Sequence, residues 1–313
     1  MKNHPEQMME YSESMCCAYL YIISKYGYPP PVEDTETHIK EMAQLGFRHI
    51  ELEGIGEENI NYLYQHRSRI ATALDAHQCT VPILCIVLPQ LGSGNTAERA
   101  KSLALFEKGC ATAKALGAEG VLDNGPLLPL TYPPDIPVMR HYNDEVLGKL
   151  LPPRHLNWED YWLELTTTYR EACAIAASYD LDYHLHPCEG SLTVGTDSFL
   201  HFSQAVGALN LYFNLDTANQ YFMKENLSLS LLRLADKISY IHLSDNSGAK
   251  VEHQVPGAGN IYWDGFFSTL QSIGYKGRFA IDVGGAETKI NNIEQAYTQT
   301  ASWLDTQIKK YLH

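Results

Sequence analysis

Apolar and polar positions alternate along this chain in the same way eight times. Each time a short run rich in aromatic and β-branched residues is followed by a stretch with apolar residues at helical spacing. The runs are CCAYLYII, FRHIELEG, VPILCIVLP, AEGVLDNG, LDYHLHP, LNLYFNLD, ISYIHLSD and RFAIDV. Between them, Ile60, Leu63, Ile70 and Leu74 lie on one helical face, as do Leu103, Phe106, Cys110, Ala113 and Leu116. Leu165, Tyr169, Ala172, Cys173 and Ala176 form a third such face, and Trp263, Phe266, Phe267, Leu270 and Ile273 a fourth. Asn95 and Asn292 stand where helices should begin, and Gly46, Gly117 and Gly274 where they should end. Strands that alternate with helices form a parallel sheet, and eight rounds predict an α/β fold, a single (β/α)8 TIM barrel over residues 1–313.

One interval breaks the rhythm. Between strands four and five lies an excess segment over about residues 125–157, rich in Pro and aromatic residues. A loop of that length is uncommon unless it has a function. It leaves the carboxyl end of strand four, so it should be a lid over that face or a subunit contact in a homo-oligomer.

Four hydrophobic runs end on polar side chains with ligating atoms: His184, Asp216, His242 and Asp282 close strands five to eight. Barrels keep their active sites at the carboxyl ends of the strands. An aspartate buried there is costly unless paired or coordinated. Four such groups converging on one point are best reconciled by a divalent cation, and imidazole with carboxylate suits Mn²⁺, Co²⁺, Fe²⁺ or Zn²⁺ more than Mg²⁺. Because strand side chains alternate, His184 and His186 should both face inward. Further polar groups near the strand ends are Glu51, Glu53 and Asp123, read as substrate contacts; Glu189, a second acid; and His253, beside the Pro256–Gly259 turn. Asp245 is out of phase with His242 and should support the loop.

The remaining composition sets limits. Of 313 residues 45% are hydrophobic, as expected for a globular core, and the formal charge is −14. An acidic chain is a poor partner for nucleic acid, whose phosphates call for Lys and Arg. The seven cysteines show no CxxC spacing and fit a reducing, cytoplasmic setting. No apolar run is long enough to span a membrane.

The segments LGFRHIELEG, LDYHLHPCEGSL, FNLDTAN, IHLSDNSG and HQVPGAGNIYWDGFFSTLQSIGYKGRFAID resemble the xylose-isomerase-like barrel superfamily of sugar phosphate isomerases and epimerases. The resemblance covers nearly the whole chain and is carried mainly by residues 180–283. It implies His184, Asp216, His242 and Asp282 as metal ligands and a small carbohydrate or keto-sugar as substrate. It implies an α-proton abstraction leading to isomerisation or epimerisation. Elimination by a lyase or a non-catalytic sugar-binding subunit are the other outcomes compatible with the same barrel. Members usually carry Glu at the positions of His184 and Asp282, and His at that of Asn219. The His-x-His-Pro run is similar to the Glu-x-His-Pro of dehydroshikimate dehydratases, which makes His186 the expected base.

Overall fold

The computed structural model describes residues 11–131 and 144–312. Eight parallel strands follow one another in the order predicted: β1 (Met15–Cys17), β2 (Leu52–Ile55), β3 (Ile83–Val87), β4 (Gly120–Asp123), β5 (Asp182–Leu185), β6 (Leu211–Asp216), β7 (Tyr240–Leu243) and β8 (Arg278–Ile281). Each pairs with its sequence neighbour from β2 to β8, and β8 returns to pair with β1. At the seam between β1 and β2, the Cys17 N–H donates to the His49 carbonyl and the Glu51 N–H to the Cys17 carbonyl, each at 2.9 Å.

Helices surround the strands: α1 (Leu20–Tyr26), α2 (Thr35–Gln44), α3 (Gly56–His77), α4 (Thr96–Ala115), α5 (Asp144–Leu147), α6 (Trp158–Ser178), α7 (Thr196–Val206), α8 (Thr217–Phe222), α9 (Leu227–Leu234), α10 (Trp263–Ser272) and α11 (Ile293–Tyr311). The expected caps hold. The Asn95 side chain accepts from Ala97 N and Glu98 N, and the Asn292 side chain from Gln295 N. One expectation fails: the run CCAYLYII is not a single strand. β1 ends at Cys17, and Leu20–Ile23 are buried instead in the first turn of α1. A short apolar run buried on all sides has no period that separates strand from helix.

Two cores follow from the strand alternation. Residues facing outward pack beneath the helices in one large cluster, whereas Cys16, Ala18, Ile83, Cys85, Leu122, Tyr240 and Ala280 fill the barrel interior. This parity decides which polar residues reach the site. All seven cysteines are buried free thiols. Among the described residues no helix is long and apolar enough to cross a membrane.

Between β4 and α6 the chain runs through residues 124–157, of which 132–143 lie outside the described residues. The described part is tied down at its base: Leu128 N donates to the Gly190 carbonyl at 3.3 Å, and Leu192 N to the Pro126 carbonyl at 2.8 Å. Leu127, Leu128, Leu130 and Leu156 face the β3–α4 connection across a separate apolar cavity.

Candidate metal centre

Four side chains meet at the carboxyl ends of β5 to β8. His186, Asp216, His242 and Asp282 are all buried, and each offers a ligating atom within 4.8 Å of the others. Asp216 divides its work. As the N-cap of α8, its Oδ1 accepts from Asn219 N at 2.8 Å, while Oδ2 lies 3.1 Å from His186 Nε2. His242 Nδ1 is 3.6 Å from Asp282 Oδ2, and on its other side Nε2 donates to Glu51 Oε1 at 2.7 Å. His253, wholly buried, brings Nδ1 to 3.3 Å from Asp282 Oδ2 and 3.1 Å from Ser244 Oγ.

Titration follows from these neighbours. Burial opposes a charge on His242, but the carboxylates of Glu51 and Asp282 outweigh it and hold the imidazole well above its ordinary range. Burial wins at His186, which titrates below its ordinary range despite the hydrogen bond to Asp216. Burial also pushes Asp216 up, but the His186 hydrogen bond and the His253 charge leave it below the usual carboxylate range. A buried cluster of this kind fits a divalent cation. Its two carboxylates need a counter-charge. Nδ1 of both His186 and His242 is buried with no hydrogen-bond partner among the described residues.

His184, expected in this cluster, lies elsewhere. It faces inward as its parity requires, but one layer deeper, with its ring stacked on Tyr212 at 5.5 Å between centroids. It lines a cavity at the amino-terminal end of the strands together with Ser14, Glu119, Asp182, Ser239 and Arg278. Burial and the charge of His242 push its imidazole down to about 3. Barrel strands are tilted and staggered, so positions of equal height are not paired positions. His184 pairs with Tyr212, four residues before Asp216. His186 stands two residues, or about 6.6 Å, further along the strand. The strand-five member of the cluster is therefore His186.

The cluster opens onto a small cavity bordered by Glu51, Glu53, His186, His242, His253 and Asp282. Tyr19, Asn124, Cys188 and Asn219 also line its wall. Asn219 reaches the wall because α8 starts directly on Asp216 and brings it back over the strand end. Glu53 and His253 line the cavity as expected.

Two other expected contacts do not reach it. Asp123 neighbours Leu122 of the interior cluster, so it points the opposite way, into the layer beneath the helices. There Oδ2 accepts from the hydroxyls of Tyr183 at 3.0 Å and Tyr169 at 3.1 Å. Burial raises its carboxyl to about 7 against the pull of those two hydroxyls. Glu189 sits half-buried on the turn after β5, outside the cavity wall. Asp245 serves the loop as expected. Its carboxylate accepts from Gly257 N at 2.7 Å, Ile261 N at 3.1 Å and the Trp263 indole at 3.1 Å. A side chain on Gly259 would collide with Asp245 and the Asn246 carbonyl.

A family model for the xylose isomerase-like TIM barrel matches residues 39–307. The chain belongs to that family. Among curated proteins it is similar to the fructoselysine 3-epimerases of Escherichia coli O157:H7 and Shigella flexneri, each 24% identical over 139 residues. That match takes in 44% of this chain and spans about half, 49%, of each relative. Among solved structures, an L-ribulose 3-epimerase superposes with a TM-score of 0.70 at 16% identity, covering 97% of this chain and 96% of its own. A D-allulose 3-epimerase from Methylomonas sp. gives 0.72 at 15% identity, over 96% of this chain and all of its own. A 3-keto-D-glucoside 4-epimerase from E. coli gives 0.71 at 14% identity, over 94% of this chain and 100% of its own. At these identities the structural likeness is one of fold.

Proposed function

We propose that this chain is a divalent-metal-dependent sugar epimerase or isomerase whose cation is held by His186, Asp216, His242 and Asp282. The observation that carries the reading is the convergence of those four buried side chains beneath an open polar cavity. The epimerase names of the relatives support it from outside. Bound there, a cation would supply electrophilic stabilisation of negative charge on neighbouring oxygens of a keto-sugar.

The chain's own residues supply the rest. Epimerisation removes a proton from one face of a carbon and returns one to the other, so it needs two proton-transfer groups. An imidazole that spends one nitrogen on a metal has no second lone pair to take a proton, which removes His186 and His242 from that task. Burial pushes the Cys85 and Cys188 thiols up, which keeps them protonated and so unable to accept the proton. Glu53 and His253 line the cavity beside the cluster and are the carboxyl and imidazole that move the proton. Glu53 lies on β2 and His253 on the connection after β7, so the two approach the cavity from different elements.

The reading is tested by incubating the Mn²⁺-loaded protein with a panel of ketoses in D₂O and following the proton α to the carbonyl by NMR. The expected result is exchange of that proton with at least one ketose, with no loss of a β-substituent. Glu53→Gln and His253→Asn should each slow it about 10²–10⁴-fold while keeping the metal. Undiminished exchange in both variants would remove them from the reaction. Elimination in the parent protein would make it a lyase instead.

A further inference from the structure

Glu51 is a buried acid beside the cluster, and neither the ligand set nor the proton transfer uses it. It is 2% exposed, and both of its oxygens are taken. Oε1 accepts from His242 Nε2 at 2.7 Å and from the Tyr240 hydroxyl at 2.8 Å. Oε2 accepts from the Tyr19 backbone N–H at 3.1 Å. Those donors come from β7 and from the turn after β1, so two separate elements close on one carboxylate.

The consequence falls on His242. A carboxylate can only accept, so the proton of a neutral His242 imidazole stays on Nε2, facing Glu51. Its lone pair is thereby placed on Nδ1. That atom lies on the Asp282 side, buried and without a hydrogen-bond partner among the described residues. We infer that Glu51 is a positioning residue, not a substrate contact. It fixes the tautomer and orientation of His242 so that Nδ1 faces the metal, and its charge makes that nitrogen a stronger donor. The inference rests on the metal reading above. Carboxylate partners of ligating histidines are worth about 10–100-fold in metal affinity.

The test uses the parent protein with Glu51→Ala, Glu51→Gln and, as control, Asp216→Ala. Each is titrated with Co²⁺ against a competing chelator, the visible spectrum of the bound cobalt is recorded, and the melting temperature of the metal-free protein is measured. Glu51→Ala should weaken Co²⁺ binding about 10–100-fold and alter the cobalt spectrum. Glu51→Gln keeps an acceptor oxygen without the charge and should recover part of both. A melting change with unaltered affinity and spectrum would show a merely structural residue and overturn the inference. If Glu51→Ala does not fold, Glu51→Gln decides alone, and an affinity within about twofold of the parent overturns it. Equal cobalt binding by the parent and Asp216→Ala would instead defeat the metal reading itself.

Discussion

Asp123 shows how one step along a strand separates chemistry from support. Its neighbours Leu122 and Asn124 border the cavity beside the cluster, while Asp123 is turned away under the hydroxyls of Tyr169 and Tyr183. Its carboxyl is raised to about 7 by burial, so the folded protein holds a proton that the unfolded chain releases near pH 4. The stabilisation that this proton confers is full below about pH 4 and is lost as the pH rises to about 7. Asp123→Asn removes the titrating group. Relative to the parent, its stability measured by urea unfolding should therefore improve between pH 4 and pH 7, by up to a few kcal/mol, with metal content unchanged. A constant difference across that range, or loss of the metal, would contradict this account. His184 makes the same point along the strand axis. Its type and its inward direction were readable from the sequence, since alternation fixes the face. Its depth was not, because depth depends on the stagger of the closed barrel. Glu51 was readable as an inward acid, but its partner His242 is 191 positions away, a contact that no local pattern carries.

At the scale of elements, the long helices and all eight strand positions were legible because amphipathic period and capping residues agree. α4 begins at its Asn95 cap and α11 at its Asn292 cap. The short helices α1 and α8 were not legible. α1 hides in an apolar run that fits either element, and α8 begins on Asp216, whose expected ligating role masked its capping role. The β4–α6 connection was legible by its length and composition. Thr131 N donates to the Leu151 carbonyl at 3.0 Å, so the excursion between them leaves and returns at one place. Replacing residues 132–150 by a short Gly-Ser linker should therefore preserve the barrel and its metal. We expect KM for the ketose to rise several-fold, as for a wall or lid over the cavity. Unchanged kinetics together with loss of self-association, read by light scattering, would make the segment a subunit contact.

At the scale of the molecule, the barrel brings together side chains from four successive strands that no single motif contains. Asp216 and His242 are paired directly in the β6–β7 register, and His186 and Asp282 flank them from the adjoining strands. The alternation of eight strands and helices was enough to read this convergence from the sequence, and only the choice between His184 and His186 needed the closed structure. The two histidines lie at different depths, one in the cluster and one in the amino-terminal cavity, so a single measurement separates them. Crystals grown with Co²⁺ and measured at its absorption edge locate the metal by anomalous scattering. The account predicts one strong peak within bonding distance of His186, Asp216, His242 and Asp282, with His184 well below it. A peak beside His184, or none within reach of the four, would contradict it.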